Sequence, residues 1–209
     1  MKDKNSNVFR TTRAVEDLDI YVTGYIDAPE WYLEELQALK EATEGSNCSL
    51  FINSGGGNVS TAAQFLAKLT NTKARVTSHI EGSCHSAATL LFLAADSWVV
   101  GQDATMLIHN YSGGAFGKGN EILEHAEANK AWIHTLMDRV YTGFLTKEEL
   151  TSVKENRDIW LNQEQILARL DNLIAHRAEL AATAEHELQG SLKEQMEEYI
   201  RGDSEKHNS

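Results

Sequence analysis

The stretch CSLFINSGGG, residues 48–57, decides how this chain folds. CSLFINS reads as a strand, and three consecutive glycines follow it. A helical pattern then runs from about Val59 to Thr70. The next segment repeats the plan: strand ARVTSHI at 74–80, then Gly82, then a helix opening near Ser86 and running to about Ala95. Alternation of strand, glycine turn and helix predicts an α/β fold with functional groups at strand ends.

Working outward, DIYVTGYI at 19–26 is a strand rich in β-branched and aromatic residues. Pro29, the only proline, sits where a helix can start, and Trp31, Leu36 and Leu39 fit a helix reaching Thr43. Downstream, SWVVG (97–101) and ATMLIHN (104–110) read as a short hairpin-like piece. A long polar helix is expected over 118–140, carrying Ile122, Leu123, Trp132, Ile133, Leu136 and Met137. A further helix begins at Lys147, and RDIWLN (157–162) reads as a strand entering another helix. Beyond Asn172 the chain turns acidic, with Ala184, Leu188, Leu192, Met196 and Ile200 forming a narrow apolar stripe suited to helix-on-helix contact. Three parts are therefore expected: a flexible arm over 1–18, one domain over 19–174, and an acidic helical extension over 175–209 with a disordered end.

Composition narrows the function. A net charge of −12 without any Lys/Arg cluster argues against nucleic-acid binding. The longest apolar run, 87–95, is too short to span a bilayer, so no membrane association is expected. The N-terminus lacks the apolar core of a signal peptide, and Cys48 and Cys84 read as reduced, buried thiols; a cytoplasmic location follows as an expectation. No cofactor is called for. A metal site from Cys84, His85 and His79 fits by residue type but poorly by spacing.

Three local features carry chemistry. Ser86 stands at a helix N-terminus, where free N–H groups favour developing negative charge. Gly55, Gly56 and Gly57 let backbone N–H groups approach a substrate. His109 lies at the exit of an apolar strand, just ahead of a glycine-rich loop. Each alone is commonplace: a serine there is usually an N-cap, a glycine run a turn, a lone histidine a structural residue. Asp158 could simply cap or pair with Arg157.

Together these blocks resemble the Clp proteolytic-subunit (ClpP) family of serine peptidases, which share a fold with the crotonases. NSGGG (53–57), GSCHSAA (82–88), MLIHNYSGG (106–114) and RDIWLN (157–162) occur in family order, and the likeness spans roughly residues 19–173. The resemblance implies a ClpP/crotonase-like α/β fold of repeated strand-strand-helix units with a long handle helix at 118–143. It implies Ser86 as nucleophile, His109 as general base and Asp158 as its orienter, with the N–H groups of Gly57 and Ala87 as the oxyanion hole. It further implies polypeptide substrates, heptameric rings that can stack into a tetradecamer, and an AAA+ unfoldase as a candidate partner. Departures stand out. Gly55 replaces a proline, Cys84 and His85 replace alanines, and Leu170 stands where a glycine is usual. The Ser86 turn and the acidic tail look closer to ClpP-like proteins of phages. His85 is thus a rival base and Ser83 a rival nucleophile. A phage head-maturation protease acting without an ATPase is one alternative and a crotonase-type acyl-CoA enzyme another. A catalytically silent scaffold and a Ser-Lys peptidase using Lys118 complete the alternatives.

Overall fold

The computed structural model describes Val15 and residues 17–206. The arm expected over 1–18 lies almost wholly outside the described residues, as do residues 207–209 of the expected disordered end. The elements, in order, are β1 (Asp17–Ile26), a 3-10 turn (Pro29–Tyr32), α1 (Leu33–Glu41), β2 (Asn47–Gly57), α2 (Val59–Asn71), β3 (Arg75–His85) and α3 (Ala87–Leu93). They continue as β4 (Ser97–Val100), β5 (Thr105–Ile108), α4 (Gly119–Tyr141), α5 (Lys147–Lys154), β6 (Ile159–Asn162) and α6 (Gln163–Lys206).

β1, β2 and β3 run parallel, side by side, and β6 closes the far edge antiparallel to β5. Along β2 the side chains alternate, with Cys48, Leu50, Ile52 and Ser54 turned inward. α2 buries Ala62, Phe65, Leu66 and Leu69, the spacing of one helix face, and Asn58 caps its start by accepting the Thr61 N–H at 3.1 Å. α3 is too deep to be amphipathic: all seven of its residues are buried. It packs on β2 and β3 with α2 beside it, so the core forms on one face of the sheet.

The opposite face carries a row of rings, with Tyr21 stacked on Phe51 at 4.8 Å and Phe51 on His79 at 4.6 Å. Strand register sets the three side by side across β1, β2 and β3.

Two expectations need correction. The glycine run is not a turn: Gly55, Gly56 and Gly57 continue β2, with Gly56 and Gly57 paired to Tyr25 and Ile26 beyond a register shift at which Gly55 is the extra residue. Nor do residues 97–110 form a hairpin. β4 pairs parallel with Thr77–Ile80 and β5 parallel with Ser83–His85, so the two strands follow one another along the same edge of β3. The Gly101 N–H donates to the Ile80 carbonyl at 2.9 Å, and a Cβ there would lie 2.8 Å from the same oxygen. That close docking keeps the chain running forward along β3 instead of folding back.

The two long helices behave differently from the core. α4 buries Ile133, Leu136, Met137, Val140 and Tyr141, whereas residues 116–132 are exposed throughout, including Phe116, Leu123 and Trp132. α6 packs through Ile166, Leu170 and Leu173 and then runs on without a backbone break across position 174. Arg177 ends the packed part, donating to the Leu93 and Ala95 carbonyls at the end of α3 and lying 5.2 Å from the Trp98 ring centre. Leu180, Leu188 and Leu192 beyond it are exposed, and the side chains of Met196 and Ile200 lie outside the described residues.

Candidate active site

β3 passes into α3 through Ser86 alone. Strand and helix meet there with no loop between them, and the serine takes φ 55° and ψ −126°. A non-glycine residue held in that region costs about 1–3 kcal/mol. Its neighbours fix it: the Ser86 N–H donates to the Leu107 carbonyl at 2.8 Å, and the Ser86 carbonyl accepts from the Thr89 N–H at 3.0 Å and the Thr89 hydroxyl at 2.7 Å. The side chain is left at the mouth of the helix, half-buried. Ala87 follows as the first residue of α3, whose N–H has no acceptor within its own helix.

The end of β2 presses on this turn. A Cβ on Gly56 would sit 2.6 Å from Ser86 Cβ, 2.7 Å from the His85 carbonyl oxygen and 3.0 Å from the Ala87 nitrogen. Only glycine permits that approach. Gly57, one residue on, is pressed against the backbone of Ile26 in β1. Ser54 braces the strip, its hydroxyl donating to the Gly24 carbonyl and accepting the Gly56 N–H.

His109 stands one residue beyond β5. It shares with Ser86 a small cleft of about 30 Å³, completed by Ala87, Tyr111, Met137 and Tyr141 among others. Asp158 stands one residue before β6. In the antiparallel register Ile108 faces Ile159, and continuing it by one residue sets Asp158 opposite His109. Asn110 ties the two strand ends together, its amide donating to the Lys154 carbonyl at 3.0 Å and to Asn156 Oδ1 at 2.9 Å. Among the described residues no hydrogen bond joins Ser86, His109 and Asp158, and Asp158 is exposed outside the shared cleft.

The Clp protease family model matches residues 4–169. The chain belongs to the Clp protease family. That membership makes it a serine endopeptidase, a hydrolase of peptide bonds. Among solved structures it is similar to a point mutant of ClpP1 from Listeria monocytogenes, at 19 % sequence identity and a TM-score of 0.57. The match covers 72 % of this chain and 86 % of that one, which supports a ClpP-type fold.

Within this Clp protease the rival groups point elsewhere. His85 Nε2 is 3.0 Å from the Thr105 hydroxyl and its ring meets Trp160 edge-on; burial, and then the charge of His109, hold its pKa below the usual histidine range. Ser83 is held in β3, its N–H donating to Asn53 Oδ1. The Lys118 ammonium lies 3.5 Å from Glu121 at the exposed start of α4. Cys84 is fully buried and its pKa is driven far up by burial, while His79 is committed to the ring stack. Among the described residues no group of three or more His, Cys, Asp or Glu side chains is placed to hold a metal. None of the described helices is long and apolar enough to cross a membrane. A second cleft, of about 550 Å³, lies apart from Ser86 between α2, the end of α4 and α6, floored by Leu69, Leu93 and Leu173.

Sequence reasoning overlooked Thr89, Tyr141 and Asn110. The first two lie 52 positions apart and meet only in the fold. Asn110 did carry a local signal, an amide beside the candidate base.

Proposed function

We propose that the chain cleaves polypeptides through Ser86 as nucleophile, His109 as general base and Asp158 as the residue that orients it, inside a ring-shaped oligomer. The observation that carries this reading is the strained Ser86 turn sharing one cleft with His109. Catalysis by such a group runs through an acyl-enzyme. His109 takes the Ser86 proton as the hydroxyl attacks the scissile carbonyl, then returns it to the leaving amine. Asp158 opposite His109 holds the imidazole in the needed tautomer and stabilises its charged form. Developing charge on the substrate oxygen is met by backbone N–H groups, Ala87 from α3 and Gly57 from the glycine strip. Each such donor lowers the barrier by roughly 3–4 kcal/mol. Hydrogen bonds among catalytic groups are commonly long in the free enzyme and tighten when substrate binds.

Assembly is supported by α4. A helix that projects with Leu123 and Trp132 exposed, and with exposed Phe116 just ahead of it, is unsuited to life as a monomer surface. Pairing through this surface would join subunits, and two heptameric rings stacked through it would enclose the Ser86 clefts. An AAA+ unfoldase would then feed chains to them.

The test combines chemistry and mass. A fluorophosphonate should label wild type at Ser86, and Ser86→Ala should lose both labelling and peptide cleavage while keeping its native mass. Asp158→Asn should lower kcat by about a hundredfold or more. Cleavage retained in Ser86→Ala would sink the assignment. A native mass that is not a multiple of seven 23.2 kDa subunits would sink the ring.

A further inference from the structure

The Thr89 hydroxyl has one proton, and it donates that proton to the Ser86 carbonyl at 2.7 Å. The same oxygen lies 2.6 Å from the Tyr141 hydroxyl. With the threonine proton already committed, Tyr141 must be the donor in that second bond. The three groups therefore form one directed chain, from Tyr141 O–H to Thr89 O–H to the Ser86 carbonyl. Thr89 is fully buried and Tyr141 is 3 % exposed. Burial also pushes the Tyr141 pKa far above its usual value, so the phenol keeps its proton throughout the working pH range.

The Ser86 carbonyl and the Ala87 N–H belong to the same planar peptide unit. A hydrogen bond accepted at the oxygen draws electron density from the nitrogen and makes the N–H a stronger donor. Successive bonds in a dry chain polarise one another. The same bonds hold the plane of that peptide against rotation, at a residue whose backbone is strained. We infer that Tyr141 and Thr89 are positioning residues that aim and polarise the Ala87 N–H for the oxyanion, acting through the Ser86 carbonyl. This rests on the reading of Ser86 as nucleophile. Tyr141 is also the last residue of α4, so the device ties the oxyanion donor to the helix proposed to join the rings. A threonine bonding back to a carbonyl three residues earlier is ordinary in helices; the buried phenol behind it is what a purely local role leaves unexplained.

The test uses the full chain as wild type, Tyr141→Phe, Thr89→Val and Thr89→Ser, with kcat and KM measured on a fluorogenic peptide. Inhibition by a peptide aldehyde is measured alongside, because its adduct with serine carries the oxyanion. Tyr141→Phe should lower kcat and aldehyde affinity together, by roughly three- to tenfold, with KM and the pH profile unchanged. Thr89→Val should lose more, Thr89→Ser should recover near wild-type values, and adding Tyr141→Phe to Thr89→Val should cost nothing further. Selective ¹⁵N-alanine labelling gives a readout that needs no turnover: the Ala87 amide signal should move upfield in Tyr141→Phe. Unchanged kcat and aldehyde affinity in Tyr141→Phe, a loss confined to KM or thermal stability, or a stationary Ala87 signal would each overturn the inference. Failure of the wild type to cleave or to be labelled would instead refute Ser86 as nucleophile, and the amide signal would still report on the relay.

Discussion

Gly56 is the residue on which the Ser86 turn leans, and its φ of 91° already lies where side chains are strained. Gly56→Ala adds a Cβ into Ser86, the His85 carbonyl and the Ala87 nitrogen at once. None of these is the free end of a flexible chain, so the turn itself must shift. The variant should lose about 2 kcal/mol or more of stability in chemical denaturation, with Ser86 labelling slowed beyond that loss. Gly55→Ala, with open space around its Cα, is the control and should behave close to wild type. The two cysteines make a second case. Burial, helped by the charge of Asp19, raises the Cys48 thiol to about 11, and Cys84 is pushed further still. Neither should react with iodoacetamide at pH 8 in the native state, and both should react once the chain is unfolded; native alkylation of Cys84 would contradict its burial. At this scale the sequence marked candidates wherever a reactive side chain sat beside a strand end, as with Ser86 and His109, and the fold brings those two to one cleft. It was silent on Tyr141, whose partner is distant in the chain and whose neighbours in sequence look like any helix end.

Elements show what pattern reading can and cannot reach. The strand-glycine-helix units were readable because each carries its own punctuation. The direction of β4 and β5 was not, because two short apolar strands joined by a glycine turn look alike whether they fold back or run on. Asp158 belongs here as well: a two-residue RD motif says little of where it lies, and only the register of β5 with β6 sets it opposite His109. α5 offers a measurable local energy. Thr146 and Glu149 cap it reciprocally, while Arg169 of α6 grips both Glu149 oxygens at 2.6 and 2.7 Å. That side-chain hydrogen bond, set against a smaller opposing effect of burial, holds the Glu149 pKa below the usual glutamate value. A depressed acid contributes stability that is complete above its unfolded pKa, about 4.3, and is lost as pH falls through the folded one. Glu149→Gln should therefore cost about 1 kcal/mol at pH 7, with the gap to wild type closing below pH 4. Urea melts at a series of pH values would show it, and a gap constant with pH would rule out the ion pair as the cause.

For the whole molecule, the division expected near 174 falls inside one continuous helix of 44 residues, about 66 Å long. Its packed part and its exposed part differ in what surrounds them, and no punctuation in the sequence marks the change. From 178 to 192 every residue is exposed, so the hydrogen bonds of these turns are defended by the helix alone. Deuterium should therefore enter the backbone in two regimes, slowly over 163–176 and within seconds beyond 180. The crossover would mark Arg177 as the point where the body lets go of the helix. Equal, slow uptake over both stretches would mean that another surface shelters the far half.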